Sequence, residues 1–243
     1  MSVKLSYRLL VGALAVAGVI SSAHADVVEV DGAHVKFVYD TDFWGLGTAV
    51  VSGDTISFAV GSAYNLSTTV APGGQPASAL HTEQNGQALT VVAKSGYQLN
   101  FGVSTTYGGT YSVAPGDGSI AVSGGGLLSG GSYANGAFST GGVSSAYGGG
   151  IQLSSGTSGT ILQNDTLPTL AAAGYQALQA GITLSAGLVQ NTAGTTSVAL
   201  ESYAYQFNAT PVAAVPEPAT YGMLLGGLGL LGVVARRRKP APK

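Results

Sequence analysis

The chain has 243 residues, of which 38 are Gly and none is Cys, and only 8% of its residues carry a charge. Seven of its nine Lys and Arg lie before residue 9 or after residue 235, whereas residues 26–215 hold two Lys against ten carboxylates, a net charge of −8. Such an acidic stretch repels phosphate backbones, which excludes nucleic acid as a partner. Without Cys, the domain must be held together by burial of its core alone.

The N-terminus, residues 1–25, has the three parts of a secretory signal peptide. Lys4 and Arg8 supply the positive charge, and residues 9–20 are all apolar or Gly. That run spans only about 18 Å as a helix, too short for the ~30 Å hydrocarbon core of a bilayer. We therefore predict export and cleavage by signal peptidase. The residues of the predicted A-x-A cleavage site are Ala23, Ala25 and the new N-terminus, Asp26.

The exported body, residues 26–210, begins with short segments typical of β-strands. Residues 34–39 place large apolar side chains at alternate positions, the pattern of a half-buried strand. Residues 49–51 and 55–60 are two further strands, and the Ser-Gly-Asp between them predicts a hairpin turn. Residues 71–76, with two Pro and two Gly, are predicted to form a loop.

Three later segments complete the predicted β-structure. Residues 88–93 and 97–103 are predicted to pair as a second hairpin across a Lys-Ser-Gly turn. Residues 197–207 are the longest strand candidate and suit the closing strand of a sheet. Many short strands with Gly-rich turns and little helix predict a mainly β fold, an antiparallel β-sandwich or jelly-roll-like domain.

Two segments of the body are less regular. Residues 123–150 contain 11 Gly and are predicted to be a flexible loop region or short irregular strands. The alternative is a Gly/Tyr array that packs close to a ligand or a sugar, with Tyr107, Tyr133 and Tyr147. Residues 166–180 are the one helix predicted in the body, because Thr166 suits an N-cap and Pro168 suits the first turn.

The C-terminus has three parts in a fixed order. Residues 211–218 form a linker that contains a Pro-Glu-Pro tripeptide, and its two prolines keep the backbone extended. Residues 219–235 carry no charge and reach about 26 Å as a helix, at the short limit for a transmembrane span. Residues 236–243 form a tail that stays cytoplasmic by the positive-inside rule. The basic cluster that stops transfer consists of Arg236, Arg237, Arg238 and Lys239.

The tripeptide Pro216, Glu217 and Pro218, the Gly- and Leu-rich span and the basic cluster together resemble a PEP-CTERM sorting signal, over residues 215–239. The resemblance implies a protein of a Gram-negative bacterium that an exosortase, a membrane-embedded protease-transferase, recognises at this tripeptide. The enzyme would remove the tail and pass a transiently membrane-anchored protein to the cell surface or medium. Bacteria with such signals commonly make exopolysaccharide, and the same element is also catalogued as an ice-binding protein C-terminal domain.

The body offers few groups for catalysis. It keeps only His34, expected in a strand, and His81, expected in a loop, and it contains none of the common hydrolase or metalloprotease motifs. We therefore expect no enzyme activity and no cofactor. Asp40, Asp42 and Asp54 are a weak calcium candidate, because alternate Asp residues on a loop supply oxygen ligands. The alternative is that these are ordinary turn residues.

Three functions remain open for the body. The first is a non-catalytic surface, matrix or biofilm protein with exopolysaccharide as partner, since an uncharged polar surface is hydrated but repels little. The second is carbohydrate or ice binding: Phe43 and Trp44 would either stack on a sugar ring or anchor a loop to the core. The third is an enzyme whose site is not visible in the sequence, for example a glycosidase with two carboxylates that converge only in the fold. Ice binding needs a flat rank of Thr, whereas adjacent pairs point to opposite sheet faces, as in Thr68 and Thr69, Thr105 and Thr106, and Thr195 and Thr196.

Overall fold

The computed structural model describes residues 27–45, 49–168, 174–212 and 218–237. Several predicted features lie outside these ranges: the signal peptide 1–25 with Ala23, Ala25 and Asp26, and the sorting and stop-transfer residues Pro216, Glu217, Arg238 and Lys239.

Antiparallel β-strands dominate the described chain. In chain order they are β1 (Val27–Asp31), β2 (Val35–Asp40), β3 (Ala49–Ser52), β4 (Thr55–Ala59), β5 (Asn65–Val70), β6 (Ala77–Ala93), β7 (Tyr97–Leu99), β8 (Val103–Ser112), β9 (Gly118–Ala134), β10 (Ala137–Ser154), β11 (Ser158–Leu167), β12 (Ala177–Gln190), β13 (Gly194–Gln206) and β14 (Ala209–Pro211). The helical elements are α1 (Thr41–Trp44), a 3₁₀ turn (Ser62–Tyr64) and α2 (Pro218–Arg237).

The strands form two large sheets and a small one. The first large sheet has the order β1-β2-β6-β12-β9-β10. The second has the order β11-β8-β13-β4-β3, and β5 also pairs with β13. Strands β7 and β14 form a separate two-stranded sheet. Buried side chains from both large sheets belong to one hydrophobic cluster, so the predicted antiparallel β-sandwich is confirmed.

Tyrosine rings fill much of the space between the two large sheets. Tyr107, Tyr203 and Tyr205 are fully buried, and the rings of the last two lie 5.1 Å apart. From the other sheet, Tyr147 donates its hydroxyl to the backbone oxygen of Gly181 at 2.6 Å. Burial raises the pKa of Tyr107 to about 12 and also raises the pKa of the other three tyrosines. All four hydroxyls therefore stay protonated, and the core stays uncharged.

Most of the early strand predictions are confirmed. Strand β2 covers residues 35–39 of the segment predicted at 34–39, and β3 pairs with β4 as the predicted hairpin. His34, which was expected in a strand, lies in the bend directly before β2. The turn depends on Gly53, whose φ of 62° is a left-handed conformation that favours glycine. Residues 71–76 contain no strand or helix, as predicted for a loop.

The second predicted hairpin is wrong. Strand β6 already pairs with β2 on one side and β12 on the other, so neither of its edges is free for residues 97–103. Those residues divide instead between β7, which pairs with β14, and the start of β8. Strand β13 does include most of the predicted 197–207 segment, but it lies between β8 and β4 and does not close the sheet.

The loop predicted at 123–150 is also wrong, because these residues belong to β9 and β10, two long strands that pair as a hairpin. Their glycines let the strands approach the tyrosine core: a Cβ on Gly124 would lie 2.8 Å from the ring of Tyr203. A Cβ on Gly130 would overlap the ring of Tyr175. Gly124 and Gly130 thus have a packing role within the protein.

The helix predicted at 166–180 is wrong as well. Thr166 is paired in β11, and residues 177–180 begin β12; residues 169–173 lie outside the described part. Leu178 and Ala180 are buried, whereas Gln179 between them is half-buried, which is the period-2 pattern of a strand. The apolar spacing that suggested a helical face here belongs to a central strand.

Helix α2 runs from Pro218 to Arg237 and so includes the predicted segment 219–235. Its described side chains, residues 222–231, are exposed. In the part of the chain that the structure describes, no helix combines the length and the apolar character needed to cross a membrane. The transmembrane span therefore stays a prediction.

Candidate functional site

The segment that leads into the Pro-Glu-Pro tripeptide is fastened to the body. Strand β14 pairs with β7, and directly after it the backbone N–H of Val212 donates to the backbone oxygen of Gly96 at 2.9 Å. Helix α2 begins at Pro218, a residue suited to the first turn of a helix. Six residue steps separate Val212 from Pro218, so the first residue of α2 lies within roughly 22 Å of Val212.

The structure does not bring the acidic candidates together as a ligand set. Asp54 accepts hydrogen bonds from the backbone N–H of His34 at 2.7 Å and pairs with its Nδ1 at 2.8 Å. Asp40 accepts from the backbone N–H of Asp42 at 2.9 Å, which is the role of a helix-capping residue. Among the described residues, no group of three His, Asp or Glu is placed to hold a metal ion.

His81 and Trp44 have structural surroundings. His81 lies in strand β6 and not in a loop, with its Nε2 3.0 Å from Glu83 Oε1. Trp44 is buried and stacks on Phe58, with 4.1 Å between ring centroids. Its indole N–H donates to the backbone oxygen of Ala88 at 3.2 Å. The predicted role of Trp44 as an anchor is confirmed, and its ring is not open to a sugar.

A groove of about 410 Å³, here called the outer groove, lies on the face of the first large sheet that points away from the core. Its floor consists of Val38, Thr90 and Gln179, which are neighbours across β2, β6 and β12. Gln179 Nε2 donates to Thr90 Oγ1 at 3.3 Å. Each of these three strands is paired with a neighbour on both sides, so backbone hydrogen bonds hold the floor in place.

Two aromatic residues form one wall of the outer groove. Tyr133 and Phe138 are directly paired across β9 and β10, at the tip of the hairpin. Asn135 and Gly136 form the connecting turn, with φ of 53° and 77°, which fits a two-residue type I′ turn. The backbone N–H of Tyr133 donates to Gln176 Oε1 at 3.1 Å, which helps to fix this wall.

The opposite wall of the outer groove is a polar network. Asn85 Nδ2 donates to Asp40 Oδ2 at 2.9 Å, and Asn85 Oδ1 accepts from the backbone N–H of Gln87 at 2.8 Å. These bonds hold both side chains in place while leaving the amide with a further donor and acceptor capacity. Asp40 and Tyr133 are both candidates from the sequence, but the sequence does not join them, because they lie on β2 and β9, which folding places in one sheet with β6 and β12 between them.

Residues 214–239 match the family model of the PEP-CTERM protein-sorting motif. The chain carries a PEP-CTERM sorting motif. The predicted resemblance is thereby confirmed, and the motif implies an exported, secreted protein that is processed by an exosortase. In the PEP-CTERM tail, Arg236 and Arg237 are the last residues of α2, whereas Arg238 and Lys239 lie outside the described residues.

Comparison of the whole chain adds little to the PEP-CTERM assignment. No curated protein matches it. Among solved structures, it is similar to a mutant VP2 protein of infectious bursal disease virus in derived T=1 particles, at 10% identity over 74% of this chain and 48% of that chain, with a TM-score of 0.20. The structure of the Gx strain of that virus gives 13% identity over 75% of this chain and 52% of that chain, with a TM-score of 0.17. The chain thus spans about half the length of these viral chains.

A further similar structure is a carbohydrate-binding module of the β-sandwich superfamily, at 6% identity over 76% of this chain and 97% of that chain, with a TM-score of 0.15. All these TM-scores are too low to support a statement about function.

Proposed function

We propose that the protein is a non-catalytic component of the cell surface or extracellular matrix of a Gram-negative bacterium, with exopolysaccharide as its partner. The observation that carries the proposal is the PEP-CTERM motif at residues 214–239, joined to a β-sandwich by the β7–β14 pair. The last strand of the body, β14, ends at Pro211, before the motif begins, so removal of the tail leaves the body intact.

The proposed route has two processing steps. Signal peptidase cuts before Asp26, and the PEP-CTERM tail then holds the protein at the membrane, with its basic cluster on the cytoplasmic side. An exosortase reads Pro216, Glu217 and Pro218 and releases the body toward the surface. Because Val212 is hydrogen-bonded to Gly96, the short connection brings the end of the sandwich at Gly96 close to the processing enzyme.

The proposed non-catalytic role rests on the sequence, in which the body keeps two His residues and none of the common hydrolase or metalloprotease motifs. His34 pairs with Asp54 and His81 pairs with Glu83. The side chain of Trp44 is buried in the core. A test is to incubate the purified protein with matrix polysaccharide and to measure new reducing ends; release of reducing ends above that from heat-denatured protein would contradict this part of the proposal.

Carbohydrate binding is the second candidate function, and the outer groove is the observation that favours it over ice binding. Thr69 and Thr195 face each other across β5 and β13 with hydroxyls 2.9 Å apart, whereas Thr68 and Thr196 beside them are buried. Adjacent Thr residues therefore point to opposite faces, as predicted, and only a single exposed pair remains at this place.

Sorting is tested by replacing Pro216, Glu217 and Pro218 together with Ala. We expect this variant to stay full-length in the membrane fraction, whereas the wild type reaches the surface or medium without its tail. The matched control is Pro240→Ala, which changes a proline just beyond the motif and is expected to sort like the wild type. If the triple variant is processed and released like the control, the proposed sorting role of the tripeptide is wrong.

A further inference from the structure

We propose that the outer groove binds an uncharged hexose polysaccharide, with Tyr133 and Phe138 as the residues that contact the sugar ring. This inference rests on the proposed function and names the chemistry of the partner. Sugars present apolar C–H faces and a rim of hydroxyl groups, so a sugar site needs an aromatic surface beside fixed hydrogen-bonding groups. The outer groove combines both.

The aromatic wall faces away from the core and is accessible to a ligand. Tyr133 and Phe138 are only partly buried, and they lie on the outer face of the sheet, side by side across β9 and β10. Paired residues in antiparallel strands have Cβ atoms about 5 Å apart, so the two aromatic side chains line the same wall of the groove. The type I′ turn at Asn135 and Gly136 fixes the strand ends, so little ordering is left to occur on binding.

The polar wall and the floor of the outer groove supply hydrogen bonds in fixed directions. Asn85 and Gln179 each carry a planar amide with two donor hydrogens and an acceptor oxygen, and each uses one donor within the protein. Neighbouring hydroxyls of a hexose both donate and accept, which matches an amide better than a carboxylate or an ammonium group. The groove volume of about 410 Å³ lies within the ~300–1,000 Å³ typical of small-molecule sites.

The charges near the outer groove favour a neutral ligand. Lys36, on the same face of β2 as Val38, is paired with Glu29 at 2.8 Å, so this described cation near the outer groove already has a carboxylate partner. Asp40 adds a negative charge that is satisfied by Asn85 and by the N-terminus of α1. Burial, and then the nearby Glu29 carboxylate, raise the pKa of Tyr133, so its hydroxyl remains a neutral donor.

The test is calorimetric titration of the purified full-length protein with four probes: cellohexaose, maltohexaose, mannohexaose and a hexamer of mannuronate. We expect at least one neutral hexaose to bind and the acidic hexamer not to bind. Tyr133→Ala and Phe138→Ala should each weaken the neutral interaction at least tenfold. Tyr133→Phe keeps the ring and should retain affinity within about threefold, and Leu162→Ala, a change at an exposed apolar residue of the other sheet, should have no effect.

The proposal is overturned if no neutral hexaose binds, if only the mannuronate hexamer binds, or if Tyr133→Ala and Phe138→Ala bind like the wild type. Circular dichroism of each variant separates loss of the site from loss of the fold. The sorting experiment reads the position and length of the protein and does not depend on this groove. Failure of sugar binding with normal sorting would therefore refute the groove alone, and failure of sorting with normal binding would refute the delivery route alone.

Discussion

The packing role of the glycines in β9 is tested by Gly126→Ala. A Cβ on Gly126 would lie 2.6 Å from the carbonyl carbon of Gly181 and closer still to its oxygen, whereas ordinary van der Waals contact begins at 3.4 Å. Both contacts are backbone, so no side chain can rotate away. The same oxygen accepts the hydroxyl of Tyr147 at 2.6 Å. Overpacking costs about 3 kcal/mol at a rigid site, and loss of the hydrogen bond adds about 1 kcal/mol.

For a domain of this size, about 3–4 kcal/mol corresponds to a fall in Tm of roughly 6–16 °C, measured by circular dichroism. The matched control is Gly86→Ala in the neighbouring strand β6, where a new Cβ meets no atom within 4 Å. We expect its Tm to stay within a few degrees of the wild type and to rise if it changes, because Ala restricts the unfolded chain. If the two variants melt at the same temperature, the close contact of β9 with β12 is wrong.

Two further predictions concern the core. Folding raises the pKa of Tyr107 to about 12 from an ordinary value of 10, so the folded state holds this proton longer than the unfolded state. The stabilising contribution of protonated Tyr107 is therefore fully present below pH 10 and is lost as the pH rises toward 12. We expect tyrosinate absorbance and unfolding to appear together. Reversible ionisation of all tyrosines near pH 10 without unfolding would contradict this. Trp44→Ala should cost about 3–5 kcal/mol in chemical denaturation, since it removes the ring stacked on Phe58. Leu80→Ala, at a residue that is 73% exposed, should change stability by less than about 0.5 kcal/mol, and equal losses for the two variants would refute the anchor role.

The sequence predicts local features of this fold well. Hairpin β3–β4 depends on a two-residue turn with Gly53 in a left-handed conformation, and alternation in β2 reports a strand with one face in the core. The PEP-CTERM motif is also local, since its three parts follow one another within residues 214–239. Each of these features can be read from neighbours in the chain.

The errors arise where distant strands decide the outcome. Residues 123–150 look flexible by their Gly content, yet several of these glycines lie against a ring or a carbonyl from another strand, as Gly124 does against Tyr203 and Gly126 against Gly181. The 97–103 segment is excluded from β6 because β2 and β12 occupy both edges. A single sequence contains neither fact, because strand order is set by tertiary packing and not by propensity.

The outer groove was missed for the same reason. Its aromatic wall comes from β9 and β10, which were predicted to be a loop, and its polar wall contains Asn85 of β6. The cross-strand pair Tyr133 and Phe138 is detectable only once residues 135–136 are recognised as an Asn-Gly hairpin turn. That dipeptide was the available signal.

Export and sorting through the PEP-CTERM tail are tested by the intact mass of the protein recovered from the cell surface or medium. We expect a species that begins at Asp26 and ends near Pro218. A species that still carries residues 236–243 and is found only in the inner membrane would contradict it.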